Sequence, residues 1–199
     1  MVHGEAVKIL DCGVAVIEGD THVSKWVEDR RSLDISRPYL SGFKQYLTKK
    51  TVVVDVGAMI GDHTVVYAEW CKQVHAFEPN KKSFECLQYN MRYSGNVACY
   101  SVALSDKNHM ASFHECENQG ASSIEESTEG ETRCETLDSF EFEDIGFIKI
   151  DAEGFESRIL LGAAESIEST YPVMLIEVNE HALTRSGSNR KELLEIIES

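Results

Sequence analysis

Proline is scarce in this chain, with three among 199 residues, which argues against long extended linkers or a Pro-rich recognition tail. Positive charge is short too: 19 Lys and Arg stand against 34 Asp and Glu, a formal net charge of −15. Binding to a nucleic-acid backbone or an anionic membrane is driven by clustered cations that release counterions, so no nucleic-acid or membrane partner is expected. No apolar run approaches the roughly 20 residues of a membrane-spanning helix, and the opening MVHGEAVK lacks the apolar core of a secretory signal. A cytoplasmic location is the expectation. The six cysteines include no CxxC pair, which argues against a structural zinc site or a thioredoxin-type redox pair. Reduced thiols acting as small hydrophobes are the simpler reading.

What is present is an ordinary globular composition, 42% hydrophobic and 27% charged. A domain of roughly 150 residues already buries about 70% of its unfolded surface, so residues 1–199 read as a single domain, with a hairpin and helical extension over 1–50 and a core over 51–199. In the extension, Val7 to Leu10 and Val14 to Ile17 flank Asp11, Cys12 and Gly13 as a hairpin would. Two short helices follow, one facing inward with Val23, Trp26 and Val27, the other, after Pro38, with Tyr39, Phe43, Tyr46 and Leu47.

From Thr51 the chain alternates strand Thr51 to Val56, helix Asp62 to Trp70, strand Gln73 to Phe77, helix Lys81 to Tyr93 and strand Val97 to Val102. Such alternation predicts an α/β fold of parallel strands joined by right-handed helical crossovers. Phe84, Leu87 and Met91 form a core stripe. Between Ser105 and Phe140 the rhythm breaks, with short strands at Met110 to His114 and Thr132 to Thr136 around a polar segment that reads as a lid or binding loop. It resumes with strand Phe147 to Ile150, a helix placing Phe155, Ile159, Leu160, Ala163 and Ile167 on one side, strand Val173 to Val178 and a helix Asn189 to Ile197.

The most informative stretch is Asp55 to Thr64, DVGAMIGDHT, where a strand turns into a helix. Gly57 and Gly61 suit a tight turn and close approach of a ligand to the main chain, and free N–H groups at the helix start would face that ligand. A dinucleotide turn wants GxGxxG, but Met59 occupies the second glycine's position, and no Gly-Lys-Ser/Thr follows to make a phosphate loop. Glu78, at the end of the next strand, can accept hydrogen bonds from ribose hydroxyls. Together these features specify an adenosine-containing ligand, and S-adenosylmethionine (SAM) fits better than a nicotinamide dinucleotide. A nicotinamide-dependent oxidoreductase and a non-catalytic SAM- or nucleotide-binding module remain the alternatives.

The stretches VVVDVGAMIGDHT, VHAFEPNKKSFECLQYN, SVALSD, CETLDSF, FIKIDAEGFE and PVMLIEVNE together resemble the FkbM family of SAM-dependent methyltransferases, in the family's order. The resemblance implies a class I, Rossmann-like methyltransferase sheet with helices on both faces, SAM as cofactor, and methyl transfer to a hydroxyl of a saccharide or another small natural product. It places cofactor contacts on Asp55, Gly57, Ala58, Met59, Gly61, Thr64, Glu78, Pro79, Ala103 and Asp151. Two departures stand out: the family usually has Asn where this chain has Met59, and its sheet closes with a further antiparallel strand pair for which no residues follow the last helix. An edge left bare invites pairing, so the N-terminal hairpin or a second subunit, in a homo-oligomer, is expected to cover it.

Methyl transfer is an in-line displacement, so the protein must align the acceptor and help remove its proton. Candidates lie at the carboxyl ends of strands, where open α/β sheets bind ligands: Asp151 and Glu153 in KIDAEG, Glu177 as the one charge in VMLIEV, and His181 beyond it. A helix cap and a first-turn charge are the bland readings of Asp151 and Glu153. Ser122 and Ser123 in the long excursion are candidates for closing the acceptor pocket. His63 is expected to face solvent. His109, His114 and Cys116 match no strong metal motif, and no metal site is assigned, with Mg²⁺ between Asp151 and Glu177 as the less favoured alternative.

Overall fold

The computed structural model describes residues 7–114, 123–126 and 130–198. The N-terminal strands β1 (Val7–Ile9) and β2 (Ala15–Ile17) pair antiparallel, and helices α1 (Val23–Arg30) and α2 (Arg37–Leu40) follow. The core then alternates β3 (Val52–Val56), α3 (Thr64–Trp70), β4 (Gln73–Phe77), α4 (Lys81–Met91) and β5 (Val97–Tyr100). After the excursion come β10 (Ile145–Ile150), α5 (Glu156–Leu161), α6 (Ala164–Thr170), β11 (Val173–Ile176), α7 (Glu180–Arg185) and α8 (Arg190–Glu198).

Five of these strands form one sheet in the order β11-β10-β3-β4-β5, and every pairing in it is parallel. The chain starts this sheet in the middle and builds outward in both directions, so the order reverses between β3 and β10. That reversal opens a crevice at the carboxyl ends of the two strands. β3 is buried along its whole length, as a strand covered on both faces must be, and it therefore reads as the near-continuous apolar run VVVDV. Alternate residues serve opposite layers: Val54 and Val56 pack with Phe155, Ile159, Leu183 and Leu193, whereas Val53 and Phe147 pack with Leu40, Leu47, Val66 and Tyr67.

Just before the excursion lies β6 (Ala103–Leu104), and within it are β7 (His109–His114), β8 (Ser123–Glu126) and β9 (Thr132–Glu135). They form a separate sheet in the order β6-β9-β7-β8, of which only β7 and β9 were expected. The expected helix from Phe155 to Ile167 is broken at Gly162, whose carbonyl accepts from Asp138 N at 3.1 Å. Asp138 also starts α6, its carboxylate accepting from Glu165 N at 3.1 Å and Ser166 N at 2.8 Å. A long-range cap thus overrides local periodicity.

Of the second expected face, Leu47 is buried and Phe43 packs against the same cluster, while Tyr39 and Tyr46 are exposed and Leu40 takes an inward place instead. Trp26 likewise faces outward while Val27 is buried. The hairpin does not cover the β11 edge. Its Ala15 exchanges two hydrogen bonds with the Asn90 amide of α4, at 2.7 and 3.0 Å, and Asn90 also donates to Ile60 O at 2.8 Å. One side chain therefore ties the hairpin to the loop after β3. Among the described residues β11 pairs only with β10, and no helix is long and apolar enough to cross a membrane.

Candidate active site

A cavity of about 400 Å³ occupies the crevice between β3 and β10, within the size range of small-molecule sites. Its wall includes Gly57, Ala58 and Met59 after β3, Glu78 and Pro79 after β4, Ala103 and Leu104 beside β5, Asp151 to Glu153 after β10, and Glu177 after β11. His22, Val23 and Trp26 of the extension close another side.

The first loop is braced by its neighbours. Gly57 and Ala58 both donate to Phe77 O at 3.0 Å, and Met59 N donates to Glu78 Oε2 at 2.8 Å. The N–H groups of these three loop residues are thus taken by β4 and its carboxyl end. Gly57, at φ +72, has no room for a Cβ, which would lie 1.9 Å from Asp151 O; its glycine is demanded by the neighbouring strand end. Met59 adopts φ +49, a left-handed conformation that Asn tolerates better than other residues with a side chain.

Glu78 does more than line the cavity. Its other oxygen accepts from Asn80 N at 2.8 Å, while Asn80 caps α4 by accepting from Lys82 N and Ser83 N. Burial pushes the Glu78 carboxyl up to about 7 against these favourable hydrogen bonds. Each oxygen keeps a lone pair for a further donor.

Asp55 and Thr64 lie beneath the wall rather than in it. Both are fully buried, and Thr64 Oγ1 donates to Asp55 Oδ2 at 2.7 Å. Sequence reasoning missed the partner of this pair. Lys149 is 4% exposed and donates to Val56 O at 3.0 Å and Gly57 O at 2.8 Å, with Asp55 Oδ1 3.6 Å and Asp151 Oδ2 3.7 Å away. Burial opposes its charge, but Asp151, Asp55, Asp62 and Glu78 outweigh burial and hold its pKa above the ordinary lysine value. The available signal was its position as the one charge in FIKI.

Asp151, Glu153 and Glu177 converge, each offering an oxygen within 4.8 Å of the others. Burial first, then Glu177 and Asp151, push Glu153 up to about 7. Burial first, then Asp151 and Glu156, push Glu177 up to about 7 as well. The turn carrying Asp151 and Glu153 is fixed by Glu156, whose Oε1 accepts from Ala152 N at 3.0 Å and Gly154 N at 3.2 Å.

Other candidates fall elsewhere. His181 is exposed in the first turn of α7 and is absent from the cavity wall; α7 carries it away from the strand end. Gly61 is outside that wall too, with Leu87 and Met91 against it. His63, expected in solvent, instead lines the cavity with its side chain 19% exposed. Ser122, Cys116 and the side chains of Ser123 and His114 lie outside the described residues.

The family model for the methyltransferase FkbM domain matches residues 55–199. The chain belongs to the FkbM methyltransferase family. That placement sets the nicotinamide alternative aside. A hexuronic acid methyltransferase, AglP of Haloferax volcanii, is 30% identical over 138 residues, covering 66% of this chain and 56% of the relative. The chain thus spans little more than half the length of that curated relative. Among solved structures, the FkbM methyltransferase of Methylobacillus flagellatus superimposes with a TM-score of 0.52 at 19% identity, covering 66% of this chain and 33% of that one. A Streptococcus mutans protein crystallised with SAH gives a TM-score of 0.52 at 12% identity over 82% of this chain and 80% of its own. These likenesses establish the Rossmann-like methyltransferase fold.

Proposed function

We propose that this FkbM-family protein uses SAM to methylate a hydroxyl of a saccharide or related small molecule. The observation that carries the reading is the convergence of Asp151, Glu153 and Glu177 on the same crevice as the Gly57 to Met59 loop and Glu78. The residues present fit an adenosine-bearing sulfonium. Glu78 retains lone pairs at the place where ribose hydroxyls would arrive, and the acid-rich wall complements a positive charge. Glu177 Oε2 is buried without a hydrogen-bond partner among the described residues, which leaves an acceptor for a donor group entering the cavity.

SAM, when bound, supplies an electrophilic methyl group on a cationic sulfur. The chain's own residues supply alignment and proton removal. Asp151, anchored by Lys149, orients the acceptor or the amino-acid end of the donor. The Glu177 and Glu153 carboxyls are each pushed up to about 7, the range in which a carboxylate serves best as a general base. Glu177, with Glu153 beside it, would take the proton from the acceptor hydroxyl, whose oxygen would receive the methyl group that SAM supplies.

Transfer of labelled methyl from SAM to a saccharide hydroxyl tests this directly. Glu177→Gln should lower turnover by about 10² to 10⁴, the usual contribution of a general base, without loss of SAM binding. Unchanged turnover would remove Glu177 from the chemistry, and SAM binding with no transfer to any acceptor would leave a binding module. EDTA-treated protein should keep its activity; a loss restored by Mg²⁺ would assign the carboxylate cluster to a cation instead.

A further inference from the structure

The cavity has two walls of different origin. One is built by the loops that identify the family, within residues 55–199. The other comes from the extension, and its bulkiest residue is Trp26. Trp26 is 52% exposed although α1 is firmly seated, with Val27 at 0% and Ser24 at 1%. The seat is specific: Asp20 Oδ2 accepts from Ser24 N at 2.7 Å, Asp20 Oδ1 from His22 N at 3.3 Å, and Ser24 Oγ from Ile17 N at 3.1 Å. The indole is therefore held at the cavity rather than left loose on a mobile helix. His22 meets it edge-on with ring centroids 6.1 Å apart, which restricts its orientation.

We propose that Trp26, positioned by His22, is the stacking platform of the acceptor subsite, and that its ligand is the ring of a neutral saccharide. The proposal rests on the methyl-transfer reading above and names the acceptor for that same cavity. A pyranose has an apolar C–H face rimmed by hydroxyls. The π face of an indole is electronegative and packs against such electropositive C–H groups. Glu153 and Glu177 on the other wall are acceptors for the hydroxyl rim. The acid excess selects against a ligand carrying its own carboxylate, since the wall holds Glu78, Asp151, Glu153 and Glu177 while the cation Lys149 is already committed to Val56 O and Gly57 O. A neutral ring meets neither repulsion nor an unpaired charge.

The test is a glycan array of neutral and uronate-containing saccharides, probed with wild type, Trp26→Phe and Trp26→Ala, beside calorimetric SAM titrations of all three. Wild type should retain neutral glycans in preference to uronates, Trp26→Ala should lose at least about tenfold in glycan affinity, and Trp26→Phe should fall between. SAM affinity should be the same in all three proteins, which excludes a folding defect. Glycan binding insensitive to Trp26, preference for uronates, or absence of neutral-glycan binding would overturn the subsite even with SAM bound normally. Trp26-dependent glycan binding in a protein that does not bind SAM would instead uphold the subsite and refute the methyl-transfer reading.

Discussion

Replacing Lys149 with Met tests how the donor side of the cavity is held together. Methionine keeps most of the stem and volume but removes the ammonium that donates to Val56 O and Gly57 O. Asp55, fully buried, would keep only the 2.7 Å bond from Thr64. Breaking a buried pair by removing one partner costs about 3 to 5 kcal/mol, because the other charge remains uncompensated. In a chain of this size each kcal/mol lowers Tm by roughly 2 to 4 °C, so a drop of about 6 to 20 °C is expected. The raised pKa of Lys149 means that this stabilisation is complete below the unfolded lysine value and lost only as pH rises through the folded one; the whole effect is present at neutral pH. Guanidinium unfolding of wild type, Lys149→Met, Asp55→Asn and the double variant gives the coupling free energy. At least about 1.5 kcal/mol of coupling is expected. A single-variant loss below about 1 kcal/mol, or strictly additive losses, would refute the ion-pair argument.

Glu78→Ala should weaken SAM binding by about 1.5 to 3 kcal/mol, the range for a hydrogen bond to a charged group, and should also lower Tm because Met59 N and Asn80 N lose their acceptor; unchanged affinity in a folded variant removes the ribose role. Glu78, Glu153 and Glu177 rise from the ordinary carboxylate value to about 7 on folding, so the native state binds more protons than the unfolded chain across that window. Stability should then fall as pH rises from about 5 toward 7, read as a Tm decline that Glu153→Gln with Glu177→Gln flattens; a rising Tm would contradict these assignments. Met59→Asn should stabilise the protein by up to about 1 kcal/mol, the scale of the left-handed penalty at φ +49, as measured by denaturant midpoint.

The sheet was legible because its strands are apolar and evenly spaced by helical patterns, whereas the order that creates the switch point depends on pairings between strands. Glu78, Asp151 and Glu177 could be placed at the cavity because each is a charge at the end of an apolar strand. Lys149 stands in the same kind of run, but its role depends on register: β10 sets Lys149 opposite Asp55 of β3, which periodicity within one strand cannot reveal. The break at Gly162 depends on Asp138, and the outward Trp26 on the Asp20 seat of α1, both contacts between elements. α7 was missed because its Ala182 and Leu183 bury on only one short turn, too little pattern to separate a helix from a loop. His63 was expected in solvent from its place beside the glycines of the turn, whereas its ring lies near those of Tyr39 and Tyr67 and lines the cavity.

The central claim is that the crevice between β3 and β10 holds SAM. Isothermal titration of the wild-type protein with SAM, and separately with NAD, tests it most directly: saturable one-site binding of SAM that weakens in Glu78→Ala, with no heat from NAD, is the predicted result. Absence of SAM binding, or tighter binding of NAD, would contradict it.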